Sequence, residues 1–220
     1  MILSQRAYRN FKNILVVKKT KTSESLSVKS DITKIKKSVP TKRIIDTKIY
    51  PIGIFEFNEL TAKENIESYI EEIKELPKNL KKVLKQVNKH NKENSYRDEG
   101  WTIEQIVHHL ADSHMNAFIR FKLALTEYFP TIKPYNQDLF AETSDVFMSS
   151  LKSSYHILEG IHKRWAILLE NMDTEDFKLG YIHPEDNQKH SLLKVLAMYA
   201  WHSKHHIEQI KVALSSESED

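Results

Sequence analysis

Two stretches of this chain carry imidazole at spacings that chemistry can use. In residues 101–114, WTIEQIVHHLADSH, three histidines crowd together: His108, His109 and His114. In residues 199–210, YAWHSKHHIEQI, His202 and His206 stand four apart with His205 between them. On a helix, positions i and i+4 lie on one face, so His202 and His206 can grip one ion from the same side. A third imidazole from the earlier stretch would leave a coordination position open, as catalytic rather than structural sites do. The chain has 11 histidines and no cysteine. Disulfides, thiolate metal sites and cysteine nucleophiles are thereby excluded, and a metal site must use imidazole and carboxylate. No G-x-S-x-G and no Gly-rich phosphate loop offers another route.

The elements that must position these groups read as helices. Thr102 can cap a helix with Gln105 completing a capping box, and Ile103, Ile106, Val107, Leu110, Ala117, Phe118, Phe121 and Leu125 then recur at helical spacing as far as Tyr128. Thr61 to Leu76 has Ile66, Tyr69, Ile70 and Ile73 on one face. Pro77 is expected to stop or kink it before Leu80–Val87 resumes the pattern. Val146–Met172 reads as one long helix, and Ser191 can cap a last helix through Ile210 and Leu214. Tyr50–Phe57 looks extended, because Pro51 and Gly53 forbid an ordinary helix, and is expected to lie against the helices as an ordered lead-in. Asn88–Gly100 reads as a loop. The connections 128–143, with Tyr135 and Phe140 as anchors, and 173–190 exceed tight turns and could cross over rather than join antiparallel neighbours, so simple up-down order is not assured. The class is all-α, a four-helix bundle with long connections.

The net charge of +3 conceals an asymmetry: residues 1–48 hold 13 Lys or Arg against 3 Asp or Glu, and the rest is acidic. The reading is a basic, disordered tail over 1–48, a domain over 49–214 and a polar end over 215–220. The tail has few aromatics, Tyr8 and Phe11, and no recognisable fold, so no specific nucleic-acid partner is expected. Its apolar run, Ile14–Val17, is far shorter than the roughly 7–15 residues of a secretory core. No stretch is long and apolar enough to span a membrane, and a cytoplasmic location is the expectation.

Periodicity alone does not choose the ligand on the first histidine helix. His114 lies nearest the centre of the apolar stripe, while His108 and His109 lie on its flanks. Here a resemblance adds to the reading. YRDEGWTIEQIVHHLADSHMNAFIRFKLALTE, then Lys133-Pro134-Tyr135, then Tyr181-Ile182-His183-Pro184, then WHSKHHI, resembles the YfiT-like metal-dependent hydrolases of the DinB superfamily over about residues 50–212. The resemblance implies a DinB-like four-helix bundle with one divalent ion, zinc or nickel, on His109, His202 and His206, and a homodimer. Lys204, where relatives often carry another histidine, is not at a ligand position. His108, His114 and His205 become non-ligands, each a candidate to orient a ligand or shuttle a proton, His114 and His205 foremost, although His205 is placed further toward solvent by the helical wheel. Asp112, three after His109, is a candidate to accept a hydrogen bond from a ligand imidazole or to hold the metal's water. Arg120 could bind an anionic group of a substrate or pair with a nearby Glu, and the pairing is favoured; His183, in a loop that could cover the site, is read as incidental. Glu159 and His162 form a Glu-x-x-His unit, but a di-iron bundle needs two such motifs, so the pair is read as chance.

A divalent ion held by three neutral imidazoles keeps its full charge and can bring the pKa of a bound water from about 15.7 to near 7. The expected function is hydrolysis of a small-molecule substrate by an activated water. Two alternatives use the same site: a thiol S-transferase taking a low-molecular-weight thiol such as bacillithiol, and a metal-binding bundle without turnover.

Overall fold

The computed structural model describes residues 46–215. The basic tail expected over 1–48 lies outside these residues except for Asp46–Lys48, and the polar end lies outside them except for Ser215. After an irregular lead-in come α1 (Glu59–Glu64), α2 (Ile66–Leu84), α3 (Ile103–Thr126), α4 (Gln137–Phe140), α5 (Ser144–Met148), α6 (Leu151–Glu170), a 3-10 turn at Asp176–Lys178, β1 (Gly180–His183), β2 (Gln188–Ser191) and α7 (Leu192–Ser215). Among the described residues no helix is long and apolar enough to cross a membrane.

Local chemistry sets the helix starts. The Asn58 side chain accepts from Thr61 N and opens α1. Thr102 and Gln105 form the expected capping box of α3. The expected helix over 146–172 is instead two, broken at Ser149–Ser150, where the Ser150 side chain accepts from Lys152 N and starts α6. Pro77 neither stops nor splits α2, which runs through it. A proline has no N–H, so the carbonyl four residues earlier, that of Ile73, loses its helical donor.

The long helices α2, α3, α6 and α7 form the bundle. The first packs on the third and fourth, and so does the second. Consecutive helices α2 and α3, and again α6 and α7, therefore stand diagonally, and the connections 85–102 and 171–191 cross over. Of the two connections left open to crossing over, that over 173–190 does so. Residues 127–150 join neighbouring helices instead, and the plain-looking Asn88–Gly100 loop belongs to the other crossing. The second crossing also holds an unexpected antiparallel hairpin, β1 with β2, in the register Gly180↔Ser191 to His183↔Gln188. Gly180 is obligatory there, because a Cβ would stand 2.1 Å from the His190 carbonyl oxygen. The hairpin also ties to the preceding connection, through Ile182 N to Pro130 O and Ile132 N to Ile182 O.

The core is divided. One apolar cluster contains Ile73, Ala117, Phe121, Trp165, Leu196 and Tyr199. The other contains Leu76, Leu80, Ile106, Leu110, Leu158, Ile207 and Ile210. Along each long helix the switch from one cluster to the other falls beside a buried polar group: His114 on α3, His162 on α6, and His202 and His206 on α7. On α2 it falls between Ile73 and Leu76, at the carbonyl that Pro77 leaves without a helical donor. A layer of imidazole thus crosses the bundle between two hydrophobic halves.

Candidate metal centre

His109 from α3 and His202 and His206 from α7 converge in that layer. All three are buried, and one ligand nitrogen from each lies within 4.8 Å of the others. The Nε2 atoms of His109 and His202 are 3.2 Å apart, and those of His206 and His202 are 3.1 Å apart. Nitrogens at 2.0–2.1 Å on a tetrahedral ion stand about 3.3 Å from one another, so the spacing matches a shared cation. The ring of Trp101 packs against His109 at 4.5 Å between centroids and covers the cluster from the α3 end. Burial lowers His109 and His202 well below the ordinary histidine value, with neighbouring imidazoles adding to it, and brings His206 to about 4. All three are neutral near pH 7, the form that ligates.

Hydrogen bonding fixes which nitrogen of two of these rings carries the proton. Gln209 donates its amide N–H to Ile49 O at 3.0 Å, so its Oε1 faces His206 Nδ1 at 2.8 Å. His206 must then hold its proton on Nδ1, leaving a lone pair on Nε2. A longer chain acts on His202. His162 Nδ1 meets the Ile73 carbonyl, the one that Pro77 deprives of a helical donor. A carbonyl only accepts, so His162 Nδ1 donates, and its neutral ring can only accept at Nε2. That atom lies 2.9 Å from His114 Nδ1, which donates. His114 Nε2 then accepts from His202 Nδ1 at 3.1 Å. His202 is left with its lone pair on Nε2. Burial brings His162 to about 4 and His114 well below the ordinary value, so both stay neutral, as the chain requires. Two lone pairs, on His202 and His206, thus face each other at 3.1 Å. A cation where the three nitrogens converge removes that repulsion, so the residues present fit a divalent metal.

The remaining histidines divide. His114 is fully buried and, as the chain shows, holds a ligand ring. His108 turns away to Ser154 Oγ at 2.8 Å. His205 does not face solvent: it is 6% exposed, because Trp201 stacks on it at 4.4 Å and Tyr50 of the lead-in covers it at 6.0 Å. The lead-in lies against α7 as expected, with Trp201 Nε1 donating to Gly53 O. His183 is buried in β1 near His190. Asp112 makes no hydrogen bond to any of the three converging imidazoles, and burial, then Asp145, raises its carboxyl to about 6. Glu159 points outward to Tyr155 Oη while His162 points inward, so the two never share an ion. Arg120 has no carboxylate within 4 Å among the described residues. It is buried, and its Nη2 donates to Lys133 O.

Sequence reasoning passed over His162 and Gln209. His162 lies on the buried face of α6, four after Leu158 and three before Trp165, and Gln209 follows His206 by three on α7. Those positions were the available signal.

The comparisons agree with the geometry. The DinB superfamily profile matches residues 62–210. A Bacillus pumilus relative, named as a candidate metal-dependent hydrolase, is 43% identical over 161 residues, 73% of this chain and 91% of its own. Bacillus subtilis YfiT, named in the same way, is 40% identical over 161 residues, 73% of this chain and 90% of its own. The solved structure of YfiT, described as a probable metal-dependent hydrolase with an unusual four-helix bundle topology, superposes with a TM-score of 0.74 at 39% identity, covering 78% of this chain and 98% of that one. This chain belongs to the DinB superfamily, within its YfiT-like branch.

Proposed function

We propose that the protein is a metal-dependent hydrolase of small molecules, with one zinc or nickel ion held by His109, His202 and His206. The observation that carries this reading is the pair of unprotonated Nε2 atoms of His202 and His206, aimed at each other 3.1 Å apart beside His109. When bound, the ion supplies Lewis acidity and brings the pKa of a coordinated water to about 7. The protein's own groups do the rest. The Ile73–His162–His114 chain and Gln209 keep two ligand rings in the binding tautomer. Trp101 limits water around His109. Asp112, three residues after His109 on α3 with its carboxyl raised to about 6, is our candidate to take or return a proton.

The test is elemental analysis of full-length protein purified without an affinity tag, beside a His202→Ala, His206→Ala double variant. The expected result is about one divalent ion per chain, absent from the variant. Protein that stays metal-free after reconstitution with zinc and with nickel would defeat the reading. On loaded protein, hydrolysis without added thiol supports the hydrolase; product formed only with a low-molecular-weight thiol would replace it with a transferase.

A further inference from the structure

Arg120 has a surplus that the fold does not resolve. Its residue is 3% exposed, yet no carboxylate among the described residues neutralises it. Nη2 makes one bond of 3.2 Å, to Lys133 O, and Nη1 is buried without a hydrogen-bond partner. Two aromatic rings, of Tyr135 and Tyr181, flank the guanidinium at 6.0 Å each. Their hydroxyls are also buried and fall short of full hydrogen-bond geometry, with Ser113 beside that of Tyr135 and Arg120 itself beside that of Tyr181. Burial pushes both phenols up to about 12, so both keep their protons as donors. A buried charge without a counter-charge is costly, and so is each buried donor without an acceptor. Here a permanent cation and two phenols converge, and among the described residues no carboxylate lies within 4 Å of the guanidinium and Arg120 Nη1 has no acceptor.

We infer that Arg120, Tyr135 and Tyr181 form a subsite for an oxyanion, the carboxylate or phosphate group of an anionic substrate. The inference rests on the hydrolase reading above and narrows its substrate class. Placement supports it. Arg120 follows His109 by eleven residues on α3, three turns that return it to nearly the same face, about 16 Å along the axis. Its side chain leans back toward the helix N-terminus and shortens that span. Tyr199 stands between the two places. Its hydroxyl donates to Ser113 O at 3.2 Å, and its ring meets His114 at 5.0 Å and His202 at 5.5 Å. Tyr181 comes from β1 and Tyr135 from the connection hydrogen-bonded to it, so the hairpin holds both phenols over the guanidinium. The geometry of a planar fork with two flanking hydroxyls suits a planar or tetrahedral oxyanion better than a neutral group.

The test is titration of metal-free full-length protein with succinate and, separately, inorganic phosphate at constant ionic strength, followed by calorimetry and by the arginine side-chain NMR signals. Saturable binding of either probe is expected, at least tenfold weaker in Arg120→Gln, which keeps amide donors and loses the charge. Tyr181→Phe, which keeps the ring, is expected to weaken binding severalfold and serves if Arg120→Gln does not fold. The His202→Ala, His206→Ala variant should bind the anion as wild type does, which separates failure of this subsite from failure of the metal site. The stronger probe identifies the group as carboxylate or phosphate. No saturable binding to folded wild type, or equal binding by folded Arg120→Gln or Tyr181→Phe, overturns the inference.

Discussion

Replacing His162 with Phe tests the imidazole chain at the point furthest from the ion. Phe keeps a ring of similar volume and removes both hydrogen bonds. At one end the Ile73 carbonyl, with no N–H available from Pro77, loses its donor, at a cost of about 1–3 kcal/mol of stability. At the other end His114 Nδ1 loses its acceptor. The proton of His114 is then free to move to Nε2 and point at His202, which moves the His202 proton onto the nitrogen that faces the ion. Only the bond at His114 biases that choice, by about 0.5–1.5 kcal/mol. Since 1.4 kcal/mol is tenfold, zinc affinity should fall severalfold to about tenfold, the lower end of the effect of removing a group that orients a metal-binding imidazole. The assay is competition for zinc against a chromophoric chelator near neutral pH, with circular dichroism to confirm folding. His190→Phe, a buried histidine of the hairpin outside the chain, is the control expected to bind normally. Nitrogen-15 NMR of metal-free wild type should show the His202 proton on Nδ1. A folded His162→Phe protein with wild-type affinity, or a His202 proton on Nε2, refutes the reasoning.

Gln209→Leu removes the acceptor at His206 Nδ1 and should lower zinc affinity about tenfold in the same assay, with no change at His202. Asp112 gives a pH-dependent prediction for metal-free protein. Its carboxyl rises from 3.8 unfolded to about 6 folded, so the folded state holds the proton more tightly. Stability is therefore lost as pH rises from 3.8 through 6, by about 1–2 kcal/mol in full at higher pH, less than the bare shift because solvent screens this partly exposed carboxyl. Asp112→Asn should be more stable than wild type by that order near pH 8, with the gap closing as pH falls toward 4; denaturant titrations at several pH values read it, and a gap independent of pH contradicts the burial of this carboxyl. Gly180→Ala should cost about 1–3 kcal/mol, because its Cβ cannot stand 2.1 Å from His190 O without opening the hairpin. Thermal unfolding, with hydrogen exchange at Ile182, checks both the size and the place of that loss.

Much of this architecture is written in local patterns. The capping box at Thr102 and the apolar stripe behind it place α3 within a few residues. The i, i+4 pair on α7 places two converging imidazoles on one face. Periodicity could not choose among His108, His109 and His114, because it gives an angle around the helix and not a partner across the bundle. His109 and His114 both face inward, and what separates their roles is that one meets His202 at Nε2 and the other at Nδ1. The same limit hid His162, whose sequence neighbour Glu159 suggested a motif that its tertiary neighbours contradict. Pro77 reads as a stop or a kink because the rule counts a lost helical bond and not the side chain that takes over the carbonyl, and of the two the stop is absent. His205 looked exposed because a helical wheel does not include the segment around Tyr50 that lies over it. The hairpin escaped notice because strands of four residues bearing glycine and histidine carry little alternation.

The proline within α2 has one more implication. Pro77 and His162 are distant in sequence and touch different groups, yet both act on the Ile73 carbonyl, one by withholding a donor and the other by supplying one. With an N–H at position 77 the helix would share that oxygen, and the direction of the imidazole chain would lose its reference. With no donor at position 162 the proline would leave a buried carbonyl unsatisfied. Neither residue can change alone without leaving its counterpart at fault, so substitutions at the two positions should be non-additive. Drift at position 77 is thereby constrained by the proposed metal centre, across a helix that contributes none of its three histidines.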